Sequence, residues 1–128
     1  MNFRNYKLVR TIQIIYGLAL LFFGLNTFLQ FGPAPQFNEA ATAYLTALFN
    51  TGFILPIMAI VWIITGLLFI FNKASALAAV LIFPLSLNIM LFHIFLDFSG
   101  FFIALIVFVL NLYLLYVYLD KYKPMWNK

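Results

Sequence analysis

The charged residues of this chain stand far apart, and the intervals between them set its architecture. Between Arg10 and Glu39 lie 28 uncharged residues, between Glu39 and Lys73 33, between Lys73 and Asp97 23, and between Asp97 and Asp120 22. A hydrocarbon core about 30 Å thick takes roughly 20 apolar residues of helix to cross. Each interval is therefore long enough for a membrane span. The whole chain agrees: of 128 residues, 66% are hydrophobic and 8% charged, with no cysteine. Soluble domains carry about 25% charged residues, and a chain this short has too little interior to bury such an apolar excess. A soluble enzyme, a disordered regulator and a disulfide-stapled secreted domain are excluded. The sequence describes a polytopic, all-α membrane protein in one domain over 1–128.

Four spans follow from the apolar runs, over about 8–30, 53–71, 74–95 and 100–119, packed as an antiparallel four-helix bundle. The first run opens on Lys7 and Arg10, which can snorkel at a membrane face. It is too long for a secretory leader and has no small-residue cleavage site, so it reads as a retained span. Gly32-Pro33-Ala34-Pro35 interrupts regular structure, because each proline removes a donor and restricts its neighbour. Asn38 is placed to cap a short helix over about 39–49, with Glu39 at its positive end. Ala41, Tyr44, Leu45 and Leu48 fall on one side of that helix. At about 16 Å it is too short to cross, which predicts an interfacial helix between spans one and two. Pro56 belongs in the first turn of span two. Asn72-Lys73 is the tightest connection, and Pro84 near the middle of span three predicts a bend there.

Four spans put Arg4, Lys7, Arg10, Lys73, Lys121, Lys123 and Lys128 on one side, which is every basic residue of the chain. Glu39 and Asp97 fall on the other. The positive-inside rule then places both termini in the cytoplasm. The net charge of +4 reflects basic helix ends beside an anionic leaflet and gives no footing for nucleic acid. The final segment, Asp120 to Trp126, reads as an interfacial anchor of basic and aromatic groups.

Familiar catalytic signatures are absent. There is no thiol pair, no HExxH, no phosphate-binding glycine loop and no dinucleotide fingerprint. One histidine and three scattered acids do not make a metal site. A Ser-His-Asp triad would have to use Ser86 or Ser99 with His93 and Asp97, with nothing beyond their presence to support it. The candidates are the polar residues in or near the spans, since such groups are costly in hydrocarbon and turn toward protein or a cavity. Asn26, Gln30, Asn88, His93 and Asp97 share the outer leaflet level and can form a small polar pocket. Two readings stand. In one, the amides bridge helices and His93 pairs with Asp97 or with a backbone carbonyl. In the other, the cluster binds a ligand or redox cofactor, and a partly hydrated histidine beside Asp97 moves protons. Gln13, Gly17, Gly24 and Thr27 form a low-volume stripe suited to close helix contact. Of the 17 phenylalanines, those in the outer half can face lipid, pack the bundle, or line a slot for a flat lipophilic molecule such as a quinone.

The pattern resembles the DoxX-like family of small bacterial membrane proteins. The resemblance rests on Arg10, Gly17 and Gly24-Leu25-Asn26, on the Gly-Pro-Ala-Pro loop, and on Thr51-Gly52 with Pro56. It continues through Thr65-Gly66-Leu67-Leu68, Asn88, Leu91 to Asp97, and Asn111 to Leu115. The resemblance implies a four-helix domain in the bacterial inner membrane. Some relatives are associated with quinone-linked sulfur oxidation or membrane oxidoreductase assemblies. Relatives often carry lysine at the position of Thr27 and glutamate at that of Trp62, so a buried ion pair does not carry over, whereas His93 and Asp97 match. The expectation is an accessory or scaffold subunit of membrane redox or respiratory machinery, surrounded by lipid and by other subunits or copies of itself. A quinone-binding oxidoreductase component is the alternative, and an oligomeric transporter or channel a further one.

Overall fold

A computed structural model of the chain describes residues 6–29 and 37–125, and all regular structure among them is helical. The elements are α1 (Tyr6–Leu29), α2 (Glu39–Asn50), α3 (Ile54–Ile70), α4 (Ser75–Phe95), α5 (Phe101–Val117) and α6 (Leu119–Tyr122). Single 3₁₀ turns follow at Phe98–Gly100 and Lys123–Met125. The helices begin and end within a turn of the limits read from the sequence. The Gly-Pro-Ala-Pro loop, Arg4, Trp126 and Lys128 lie outside the described residues.

Three helical segments are long and apolar enough to cross a membrane: α1, α4, and the run from Phe98 to Val117. With 17 residues, α3 extends for about 25 Å and falls just short by itself. Together α2 and α3 pass the same test, but they meet at a bend of 91°. There are thus three candidate spans, or four when the bent pair counts as one. Local chemistry makes the bend. Asn38 caps α2 by accepting from the Ala41 N–H at 2.9 Å, as its position predicts. Gly52 takes φ +79°, a left-handed conformation that costs glycine little. The Thr51 hydroxyl oxygen then accepts from the Ile54 N–H at 3.2 Å, starting α3 in its new direction. Pro56 sits in the first turn of α3.

The tightest seam joins α1 to α3. A Cβ on Gly17 would lie 2.7 Å from the Gly66 carbonyl oxygen, and one on Gly24 would lie 2.8 Å from that of Ala59. Contacts rise along α1 as they fall along α3, so the two helices run in opposite directions with their backbones touching, as small residues permit in a membrane. At the end of this seam, Lys73 N–H donates to Leu68 and Asn72 N–H to Phe69, a Schellman closure with Asn72 at φ 54°. The Arg10 guanidinium donates to the carbonyls of Phe69 and Ile70, placing a cation at the negative end of α3. Arg10 therefore also holds the end of α3.

The second seam pairs α4 with α5. Asn111 is fully buried. Its Oδ1 accepts from the Ser86 hydroxyl at 2.6 Å, and its amide donates to the Ala79 carbonyl at 3.0 Å. This lies one turn from Pro84, through which α4 continues as a single helix. The two seams meet in a core of Tyr16, Leu20, Phe69, Ala78, Ala79, Ile82, Val107 and Leu114. Tyr122, expected in an interfacial anchor, packs against the bundle. It is buried, donates to the Ala76 carbonyl at 2.7 Å, and burial pushes its hydroxyl pKa up to about 12.

Candidate functional site

The one-sided face of α2 covers a cavity. Ala41 of that face is fully buried, while Tyr44, Leu45 and Leu48 line a space of about 520 Å³ between the two helix seams. Phe23, Asn26 and Thr27 of α1, Met58 and Trp62 of α3, Asn88, Phe92 and His93 of α4, and Ile103 and Ala104 of α5 complete its main walls. The volume lies in the range of small-molecule sites, which are apolar with a few placed polar groups. Aromatic rings make up much of the wall. Phe23 lies 6.0 Å from Trp62 between ring centres, and Phe92 lies 5.3 Å from Phe37 and 5.8 Å from Tyr44.

Three of the five residues expected to form a polar cluster, Asn26, Asn88 and His93, line this cavity. Gln30 lies outside the described residues. Asp97 is buried next to it with a different task. Its Oδ2 accepts from the Asn38 N–H at 2.8 Å, and its Oδ1 from the Ser99 N–H at 3.0 Å and the Ser99 hydroxyl at 2.6 Å. Asn38 returns a side-chain donor bond to the Leu96 carbonyl. Together these bonds latch the start of α2 onto the turn between α4 and α5. The Ser99 hydroxyl, then the Asn38 and Ser99 N–H groups, hold the Asp97 carboxyl below the usual carboxylate range; partial burial opposes them and the His93 ring adds least.

His93 pairs with the backbone of Asp97, not with its carboxylate. Nδ1 lies 2.8 Å from the Asp97 carbonyl oxygen. A carbonyl only accepts, so Nδ1 carries a proton, and in the neutral ring Nε2 is left as an acceptor. No described residue hydrogen-bonds to Nε2. The ring stands edge-on to Phe92, with centroids 4.9 Å apart. It also lies over Gly100, where a Cβ would come within 2.5 Å of Cε1. With the Ser99 hydroxyl committed to Asp97 and that of Ser86 to Asn111, neither serine is hydrogen-bonded to His93, and no nucleophile–base pair is formed. Among the described residues no three histidine, cysteine or acidic side chains come together in a way that could hold a metal ion.

Sequence reasoning did not assign Asn38, Tyr44, Trp62, Phe37 or Gly100 to a site. The one-sided pattern of α2 carried the signal for Tyr44, whose hydroxyl donates to Asn88 Oδ1 at 3.0 Å. A second polar cluster was also missed. Gln13, read as part of the low-volume stripe, is a buried hub. Its amide nitrogen donates to Asn72 Oδ1 at 3.0 Å and Ser75 Oγ at 3.2 Å, and its oxygen accepts from the Tyr118 hydroxyl. Both donors of that amide are used and its oxygen is bonded, so it ties helices together.

Comparison of the chain with protein-family models, with curated proteins and with solved structures finds no match.

Proposed function

We propose that this chain is a small four-span protein of the bacterial inner membrane that holds a flat, uncharged, lipophilic ring molecule of the quinone class. In this reading it serves as an accessory component of a membrane redox assembly. The observation that carries the proposal is the apolar, ring-lined cavity of about 520 Å³ with His93 and Asn88 in its wall. A cavity of that kind in a membrane protein suits a ligand delivered from the lipid phase. The chain has no thiol pair, so electrons would pass to or from the ring through a partner subunit.

Four spans arranged antiparallel, with both termini in the cytoplasm, fit this role. The seam from Gly17–Gly66 to Gly24–Ala59 runs α3 beside α1 over most of its length, which favours α3 as a crossing helix. The grouping of all basic residues on one side supplies the orientation. In that frame α2 lies at the outer surface as the roof of the cavity. A DoxX-like affiliation is part of the same proposal. Thr27 and Trp62, where that family often carries a lysine and a glutamate, both line the cavity, so the departure makes its wall less polar. An oligomeric channel is disfavoured, since Asn111 is satisfied inside one chain by Ser86 and Ala79.

The test is intact-complex mass spectrometry of the protein in native-lipid nanodiscs, with solvent extraction of what it carries. The expected result is one lipophilic ring molecule per chain, lost on His93→Phe. A chain that carries only annular lipid, unchanged by that substitution, contradicts the proposal.

A further inference from the structure

We infer that the cavity selects a ring bearing a hydroxyl group, such as a hydroquinone or phenol, over the same ring bearing a carbonyl or an ether, because His93 presents it with an acceptor. This rests on the cavity being a ligand site and adds which functional group the site reads.

The acceptor is set by the backbone. The Asp97 carbonyl oxygen at 2.8 Å takes the Nδ1 proton, and that carbonyl is fixed because the Asp97 side chain is itself held by Asn38 and by Ser99. In the neutral ring, Nε2 then has a lone pair and no proton. Phe92 edge-on at 4.9 Å and the bare backbone of Gly100 against Cε1 keep the imidazole from turning. A hydroxyl donates to that nitrogen. A quinone carbonyl or an ether oxygen brings a second lone pair against it and leaves a half-buried acceptor without a partner, which is the costly outcome.

The other polar groups of the wall are less selective. The Tyr44 hydroxyl gives its proton to Asn88 Oδ1 and the Thr27 hydroxyl to the Phe23 carbonyl, so each oxygen can still accept. The Asn88 amide nitrogen can donate to a hydroxyl oxygen or a carbonyl oxygen alike. His93 Nε2 in the neutral ring can only accept, so a carbonyl or ether oxygen has nothing to offer it, and no bond is made or broken in reading the difference.

The experiment compares para-heptylphenol with its methyl ether, two molecules with the same ring and tail. Each is titrated by calorimetry into the full chain in nanodiscs, with empty nanodiscs as the reference. One hydrogen bond corresponds to a preference for the phenol of about fivefold to tenfold. His93→Phe keeps an aromatic ring and removes the acceptor, and the preference falls to near one. Gly100→Ala, which displaces the imidazole without removing it, reduces the preference and serves if His93→Phe does not fold. Equal binding of the two ligands to the unaltered protein overturns the inference and leaves the cavity as a ligand site. Persistence of the preference in either folded variant also overturns it. No saturable binding of either molecule above the empty nanodiscs overturns both this inference and the ligand-site proposal.

Discussion

The two halves of the helix assembly are built from similarly apolar sequence and end up differently packed. Around Gln13, Tyr16, Phe69 and Leu114 the α1–α3 and α4–α5 pairs close on each other, and the polar groups there satisfy one another. Around Phe23, Trp62, Asn88 and His93 the same pairs stand apart, with α2 laid across the gap. The difference lies in what crosses between the pairs. In the closed half, the Tyr16 hydroxyl reaches the Val107 carbonyl at 3.2 Å, and the Gln13 amide reaches both the α3–α4 turn and Tyr118. In the open half, the described polar links run to the roof instead, from Tyr44 to Asn88 and from Asn38 to Asp97. Apolar composition makes a chain of this kind fit a membrane, but it does not decide where it closes. In lipid, where helix association gains little from hydrophobicity, small contact residues and shared hydrogen bonds do that.

Substitutions that add volume should separate the halves most sharply. Gly66→Leu drives a side chain into the Gly17 carbonyl and the Leu21 N–H, and backbone cannot give way as a side-chain tip can. We expect loss of the folded species on size-exclusion chromatography, at a cost of about 3 kcal/mol or more. Thr27→Phe adds volume on the half-buried cavity wall and should leave the thermal unfolding midpoint nearly unchanged. Equal damage from both would erase the distinction.

Polar deletions come next. Gln13→Leu removes three bonds in the closed half, leaving Tyr118 without its acceptor while Ser75 still donates to Asn72, and should cost about 2 kcal/mol in a thermal unfolding assay. Asn88→Leu breaks only the bond to Tyr44 among the described residues and should cost about 1 kcal/mol or less.

Acid should loosen the roof before the closed half. The Asp97 carboxyl is held below its ordinary range by Ser99 and Asn38. Its folded-state affinity for a proton is lower than in the unfolded chain, so its contribution is complete above the ordinary carboxylate range. That contribution is lost as pH falls through the depressed value. Hydrogen–deuterium exchange across Glu39–Asn50 should therefore rise below about pH 4, while exchange along the α1–α3 seam stays flat. Asp97→Ala should reproduce the faster exchange of α2 at neutral pH.

The smallest effect concerns the α3–α4 turn, where Ala74 sits at φ 50°. Glycine takes that conformation without strain, and Ala74→Gly should raise stability by about 0.5 to 1 kcal/mol. A loss of stability would contradict strain at the left-handed Ala74.

Much of the helical framework was legible because its signals are local. Apolar runs bounded by Asn72-Lys73, Asn38 with its cap, and the one-sided pattern of α2 each act within a few residues. The cavity was less legible because it depends on distances between helices far apart in sequence. Asn26, Asn88 and His93 could be grouped by depth, but depth does not show that Asp97 turns its carboxylate toward Asn38. Nor does it show that His93 meets the backbone. Gln13 was rightly placed at a helix contact, but its polar role was not legible until Asn72 with Ser75, and Tyr118, arrive from two other parts of the chain. The bond from Arg10 to the end of α3 was not legible for a related reason, since that end is sixty residues away.

The central claim is that the open half holds a ring ligand, and Trp62 in its wall reports on that directly. The chain has two tryptophans, so Trp126→Phe leaves Trp62 as the sole indole emitter. Its fluorescence in nanodiscs should be quenched saturably by duroquinone, with an affinity about fivefold to tenfold below that of a hydroxyl-bearing ring. Thr27→Phe, which fills part of the cavity, should weaken that binding at least severalfold. Quenching that rises linearly with quinone in the bilayer and ignores Thr27→Phe would contradict the account.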